Sequence, residues 1–378
     1  MASPEKILLF SPPFAGHLNV LKAMVAAYGD RFTFKLVVTG WKNIVPDLDG
    51  VGCETTVLEA SDLHETDPAT WTFPRVEALL PRSLDIARAF GPDLILYDFF
   101  SLEGREVGVR LGIPYWCSIP AMIGPFTDDD RAYLKRKGVV EDVEMISDGL
   151  HRPGQLNLVW SYPSLAPKNF REGRSGEYVF MGNLNEAHVR ERTKTAGPAR
   201  IYVSFGTVVM DNIWNQREDV REKMREFVGA VAGLWKDRQY DVVFVTQGKK
   251  VLESYPGNWR VVDRADQMKE LASADVFVTH GGSNSFHEAV LNRVPMAVIP
   301  FFGDQPLVAR RASELGIGID LAPDAGVDTH ASKDFLGKDL AVRLNEAVGE
   351  LVRDDGYRKA LASLSLEHES LESIFERL

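Results

Sequence analysis

Seven short runs of apolar, largely β-branched residues recur along the chain: KILLF (6–10), FKLVVTG (34–40), DLILYDF (93–99), IYVSFG (201–206), DVVFVTQG (241–248), DVFVTH (275–280) and PMAVIP (295–300). Helical, amphipathic stretches lie between them. A strand that is apolar on both faces has to be covered on both faces, and a parallel sheet with crossover helices does this. The alternation therefore predicts an α/β architecture. The pattern also restarts: ILLFSPPFAGHLN and IYVSFGTVVMDN each run from an apolar strand through a glycine-containing turn into a helical continuation. The expectation is two doubly wound, Rossmann-like domains facing across a cleft, with ligands at the carboxyl ends of the strands. Between the two sets, Tyr162 to Pro198 is polar and weakly periodic with scattered Pro and Gly, as a connection should be. The expected domains are 1–187 and 199–365, with a linker over 188–198 and a terminal helix over 366–378 read from LASLSLEHESLESIFERL. Sequence alone does not say which domain that helix packs on.

A chain of 378 residues has room for two such domains, each with a full core. Its 43 Lys and Arg against 54 Asp and Glu give a net charge of −11, which argues against a nucleic-acid coat or a polybasic membrane anchor. No apolar run approaches the roughly 18 residues of a spanning helix. MASPEKILLFSPPF reads as a first strand, not as a signal peptide. Cys53 and Cys117 are too few for a disulfide framework or a four-cysteine zinc site, and the expectation is a soluble, cytoplasmic protein. The densest charge cluster, Asp128 to Asp130, has the composition of a carboxylate site for Mg²⁺ or Mn²⁺. It reads better as the acidic start of a helix, favoured by the helix dipole.

The most informative stretch is ADVFVTHGGSNSFHEAVLNRVPMAVIPFFGDQP, Ala274 to Pro306. A buried strand ends at His280, two glycines allow a tight turn, and Ser283, Asn284 and Ser285 open a helix. A helix start of this kind leaves backbone N–H groups and the positive end of the dipole for an anion such as phosphate. The stretch resembles the donor-binding signature of the nucleotide-sugar glycosyltransferases that decorate plant metabolites, macrolides and lipophilic small molecules. Their pattern, H-x-G-x-N-S-x-x-E followed after a strand by D-Q, is met by His280, Gly282, Asn284, Ser285, Glu288, Asp304 and Gln305.

The resemblance implies the two-domain GT-B fold and a role for each matched residue. His280, Asn284 and Ser285 would hold the diphosphate and stabilise the charge that develops as the sugar leaves, so no metal or other cofactor is required. Glu288 would accept hydrogen bonds from both ribose hydroxyls, which favours UDP over dTDP. Asp304 and Gln305 would contact the hydroxyls of the donor sugar. Upstream, VVDRADQMKELASAD fits the family's W-x-P-Q segment in part: Gln267 matches, Arg264 stands in place of the base-stacking Trp, and Asp266 replaces Pro. A guanidinium can still stack on uracil. YVSFGT resembles the family's first strand and turn of the donor domain, which makes Thr207 a candidate contact to the β-phosphate.

In the first domain, PPFAGHLN resembles the loop that carries the family's catalytic base, on which His17 falls, and LYDFFSLEGREVGVRLGIPYW resembles the segment whose strand ends in the partner Asp, here Asp98. The expected activity is inverting, metal-independent transfer of a hexose from a UDP-sugar, UDP-glucose first, to a hydroxyl of a small molecule. The first domain would bind the acceptor and the second the donor. Two rival readings are a nucleotide-sugar epimerase, against which the His17 and Asp98 pair argues, and a GT-B-fold binding protein without turnover, against which the retained His17, Asp98, Asp304 and Gln305 argue. The expected partners are the UDP-sugar and the acceptor, in a monomer or homodimer.

Overall fold

The computed structural model describes residues 5–40, 46–59, 76–125, 127–136, 143–183, 197–238, 240–323 and 336–376. The chain divides into two compact units, one formed by Met1–Leu184 with Leu366–Leu378 and the other by Asn185–Ser365. Most of the expected linker lies outside the described residues.

The first unit is built on a parallel sheet of seven strands: β1 Lys6–Ser11, β2 Thr33–Gly40, β3 Glu54–Glu59, β4 Leu94–Asp98, β5 Tyr115–Ile119, β6 Leu156–Val159 and β7 Glu177–Phe180. Their order is β3-β2-β1-β4-β5-β6-β7. One face is covered by the helix Ala15–Tyr28, which sets Leu18, Leu21 and Met24 against Ile7, Leu9, Leu36 and Leu96. The other carries the helices Val76–Phe90, Leu102–Leu111 and Val143–His151 over Phe10, Val37, Ile95, Tyr97 and Cys117. Alternate residues of one strand thus enter opposite cores, which is why these strands read as continuous apolar runs.

The second unit repeats the plan with six parallel strands: β8 Ala199–Ser204, β9 Tyr240–Val245, β10 Trp259–Val262, β11 Val276–Thr279, β12 Met296–Val298 and β13 Gly318–Asp320. Their order is β10-β9-β8-β11-β12-β13. Numbered within each unit, both sheets begin 3-2-1-4-5-6, so the winding reverses between β1 and β4 in one and between β8 and β11 in the other. Crevices for ligands open at such reversals, beyond the carboxyl ends of the strands.

The end of the chain departs from the expected single helix. After the helix Gly356–Ser363 the chain runs extended, and the Glu369 N–H donates to the Phe180 carbonyl at the edge of β7. A short helix, Leu371–Phe375, then starts where the Ser370 hydroxyl accepts from the Ser373 N–H at 3.1 Å. It belongs to the first unit: Phe375 packs its ring on Phe32 (centroids 4.6 Å apart), Tyr28 and Trp116. The triple aspartate sits at a helix start, as read from its charge. Thr127 and Asp130 bond reciprocally there, Thr127 N–H to Asp130 Oδ2 at 2.8 Å and Asp130 N–H to Thr127 Oγ1 at 3.3 Å.

Candidate active site

In the first unit the reversal brings together the residue after β1 and the residue ending β4. β1 pairs with β4 through Phe10 and Tyr97, so the turn Pro12-Pro13-Phe14 delivers the start of helix Ala15–Tyr28 beside Asp98. His17 Nδ1 lies 2.8 Å from Asp98 Oδ2, with side-chain exposures of 13% and 1%. The second carboxylate oxygen accepts from the Phe100 N–H at 2.9 Å. A carboxylate facing Nδ1 fixes the hydrogen there and leaves the lone pair on Nε2. The imidazole is walled by aromatic rings: Phe99 is stacked at 5.9 Å between centroids, and Phe100 and Phe14 lie at 5.3 and 5.7 Å. Such a wall holds the ring in one orientation and keeps water from the pair.

In the second unit the same reversal gathers the turns after β8 and β11. β11 ends at Thr279, and Gly282 precedes the helix Ser283–Leu291, whose first turn carries Asn284 and Ser285. The His280 ring is held between two glycine turns. A Cβ on Gly206 would come within 2.6 Å of its Cε1, and one on Gly282 within 2.5 Å of its Nε2. No larger residue fits at either place without moving the ring. Burial pushes the His280 imidazole down to about 4, against a hydrogen bond to the Ser204 carbonyl. The ring Nδ1 also lies 3.5 Å from the Thr279 hydroxyl.

One helical turn further, Glu288 forms a cluster with Gln267 and Ser285. Gln267 Nε2 donates to Ser285 Oγ at 3.0 Å and to Glu288 Oε2, and Gln267 Oε1 accepts from the Tyr202 hydroxyl at 3.4 Å. Gln267 opens the helix Gln267–Leu271, capped by Asp266, which accepts from the Lys269 N–H. The Asp that replaces the family's Pro is thus a helix cap. Arg264 is exposed in the loop before it. Thr207 follows Gly206 directly after β8, at the head of a π-helical turn over Val208–Ile213. Asp304 precedes the helix Gln305–Glu314. Gln305 is 3% exposed and its Oε1 accepts from the N–H groups of Phe301 (2.7 Å) and Phe302 (3.0 Å). Its carboxamide oxygen shapes the loop after β12, which leaves only Nε2 for any outside group. His287 is buried at 1% exposure inside its helix.

A family model described as erythromycin biosynthesis protein CIII-like, C-terminal domain, matches residues 237–372. NDP-glycosyltransferase YjiC of Bacillus subtilis (strain 168) is 26% identical, with 83% of this chain and 84% of that protein covered. Oleandomycin glycosyltransferase of Streptomyces antibioticus is 26% identical over 99% of this chain and 94% of its own. The chain is a glycosyltransferase, similar over most of its length to enzymes of the macrolide and natural-product type. The crystal structure of CalG4, the calicheamicin glycosyltransferase, superposes with a TM-score of 0.68 over 96% of this chain and 93% of that one at 21% identity, which identifies the fold as GT-B.

Motif reading of this glycosyltransferase missed the contacts around the matched residues. Phe99 and Phe100 flank His17, and their only signal was a pair of Phe after Asp98 in LYDFFSLE. Tyr202 anchors Gln267 from β8, a contact that no sequence spacing announces. Thr39 donates to the buried Glu103 behind Asp98. A Glu on the inward face of a helix was the available signal for that pair. Among the described residues no group of three or more His, Cys, Asp or Glu is placed to hold a metal ion, and no helix is long and apolar enough to cross a membrane.

Proposed function

We propose that this glycosyltransferase moves a hexose from a UDP-sugar, UDP-glucose first, to a hydroxyl of a small-molecule acceptor with inversion and without a metal, as a monomer or homodimer in the cytoplasm. The observation that carries the reading is the hydrogen bond between His17 Nδ1 and the buried Asp98, which leaves Nε2 as a base. Nε2 takes the proton of the acceptor hydroxyl as that oxygen bonds to the anomeric carbon. The bond from the anomeric carbon to the β-phosphate oxygen breaks, and UDP leaves with the electron pair. Displacement from the opposite face turns an α-linked donor into a β-glycoside. Asp98 stabilises the imidazolium that results.

The second unit holds the donor in this reading. The start of helix Ser283–Leu291, with Asn284, Ser285 and Thr207, meets the diphosphate, and His280 joins once protonated. Glu288 and Gln267 take the ribose, and two hydroxyls suit that pair better than the single one of a dTDP-sugar. Arg264 stacks on the base. Asp304 and the Nε2 of Gln305 face the sugar. The test incubates the protein with UDP-glucose and a library of hydroxylated polyketides and phenols, with mass detection and an anomeric assignment of any product. Transfer that survives a chelator and gives a β-glycoside supports the reading. UDP-glucose converted without an acceptor would favour an epimerase, and tight UDP binding with no product would favour a binding protein.

A further inference from the structure

The first unit contains a second buried carboxyl for which transfer as written has no use. Glu103 stands in the first turn of helix Leu102–Leu111, five residues beyond Asp98, and is wholly shielded from solvent. Its Oε1 accepts from the hydroxyl of Thr39, itself buried near the end of β2. Its Oε2 has no hydrogen-bond partner among the described residues. An ionised carboxylate in a dry interior needs donors on both oxygens or a countercharge. Nearby cations are committed elsewhere: Arg105 pairs with Glu106 and with Asp148 of the helix Val143–His151, and Arg110 pairs with Glu77 of the helix Val76–Phe90. Arg82 and Arg88 of that helix are exposed, and Tyr97 on β4 and Cys117 on β5 are kept neutral by burial. The charged neighbour is Asp98. Burial, opposed by the Thr39 hydroxyl and by the Glu103 backbone N–H and reinforced to a smaller extent by the Asp98 charge, pushes the Glu103 carboxyl up to about 7.

The helix that carries Glu103 has little room to shift. A Cβ on the adjacent Gly104 would lie 2.6 Å from Tyr97 Cβ and 2.8 Å from the Phe10 ring, so backbone and strand already touch. The turn between β4 and this helix holds Asp98, Phe99 and Phe100, the three residues that grip His17. A hydrogen bond from β2 into the first turn of the helix therefore anchors that turn from behind.

We propose that Glu103 is a positioning residue for the His17–Asp98 pair: as a neutral carboxylic acid it ties Thr39 on β2 to the turn that follows Asp98, and it leaves the buried negative charge on Asp98. The proposal rests on the reading of His17 as the base and Asp98 as its partner. Of the two carboxyls, Asp98 receives two N–H donors and Glu103 one hydroxyl, so the charge settles on Asp98.

Two variants separate the hydrogen bond to Thr39 from the bulk of the side chain. Glu103→Gln keeps neutrality, size and an acceptor for Thr39, whereas Glu103→Leu keeps neutrality and approximate size and removes the acceptor. E103Q is expected to turn over within about twofold of the parent, and E103L to lose about tenfold in kcat with UDP affinity unchanged. The gap in melting temperature between E103Q and the parent is expected to widen from pH 4.5 to about 7 and then level off, because only the parent has to stay protonated in the fold while its unfolded chain ionises. Full turnover by E103L, E103Q as impaired as E103L, or a melting gap that ignores pH would each overturn the proposal. If E103L does not fold, the E103Q series decides alone. His17→Ala is measured alongside; turnover retained in that variant removes the base assignment itself, an outcome distinct from failure at Glu103.

Discussion

Asp98→Asn is the sharpest perturbation of the proposed chemistry, because the carboxylate has two acceptor oxygens and both are in use. Oδ2 faces His17 Nδ1 at 2.8 Å and Oδ1 faces the Phe100 N–H at 2.9 Å. An asparagine offers one oxygen and one NH₂. If the oxygen stays on Phe100, the NH₂ points at Nδ1, which must then accept; the ring hydrogen moves to Nε2 and the base is lost. If the oxygen stays on His17, two donors meet at Phe100 and a buried N–H is left unpaired, at a cost of about 1–3 kcal/mol. In both cases the charge that stabilises the imidazolium is gone. A pair of charges about 4 Å apart at an effective dielectric constant near 20 is worth about 4 kcal/mol. At 1.36 kcal/mol per factor of ten, kcat is expected to fall about 10³-fold. The assay is product formation by mass, with UDP affinity measured calorimetrically on the same preparation. UDP binding should be unchanged, and adding D98N to His17→Ala should lower the rate no further. Turnover within tenfold of the parent, or loss of UDP binding in step with loss of rate, would refute the reasoning.

Three further outcomes can be read from single variants or titrations. Gln305→Glu preserves an acceptor for the Phe301 and Phe302 N–H groups but removes the Nε2 donor and buries a carboxylate whose second oxygen gains no donor, so it should raise KM for the sugar donor and lower the melting temperature at neutral pH; Gln305→Ala should destabilise the unit by about 1–3 kcal/mol through two unpaired N–H groups. UDP binding near pH 6 should take up protons, seen as an enthalpy that varies with the buffer, because burial holds the His280 imidazole down at about 4 and an adjacent dianion favours its protonated form; an enthalpy independent of buffer would exclude this. His287, 1% exposed and pushed by burial from 6.5 down to about 4, binds its proton less readily folded than unfolded, so its contribution is complete above pH 6.5 and about 3 kcal/mol is lost as pH falls to 4. His287→Gln should flatten that acid limb in a denaturation series.

Strands with long apolar runs were legible in the sequence, and the shorter or half-covered ones were not. β1, β2, β4, β8, β9, β11 and β12 all coincide with runs such as LILYD and VFVT. β3 and β10 lie at sheet edges and are only partly covered, β3 being half polar (ETTVLE) and β10 four residues interrupted by Arg260; β13 has three residues. β5 is interior, but its YWCSI follows Pro114 and ends at Pro120, which masks a central strand. The terminal segment misled because its helical periodicity is local, whereas the chain there crosses to the edge of β7 and is pinned by Phe180. At the site, motif spacing located every turn that the two sheets bring to their reversals. It was silent on how a side chain is spent. The Gln305 oxygen belongs to the loop and the Gln267 amide to Ser285 and Glu288, contacts between segments far apart in the chain or fixed by turn geometry.

The two reversals share a strand order and differ in what they present. In the first unit an imidazole, its carboxylate partner and three aromatic rings lie together. The second offers a helix start, glycine turns and small polar side chains, around a histidine that is neutral when no ligand is bound. That contrast has a consequence for a chain of net charge −11. Long-range attraction of a nucleotide diphosphate needs a positive field, and this protein's field has the opposite sign. If backbone N–H groups and short-range donors hold UDP, raising ionic strength screens the repulsion, since charges beyond about 8–10 Å are largely screened near 0.15 M salt, and leaves contacts at hydrogen-bond distance nearly intact. UDP affinity should therefore hold or improve slightly between about 20 and 300 mM salt, with a faster association rate at the higher concentration. Affinity that falls tenfold over that range would mean that exposed cations such as Arg264 supply the binding, and the helix start would lose its place as the principal phosphate site.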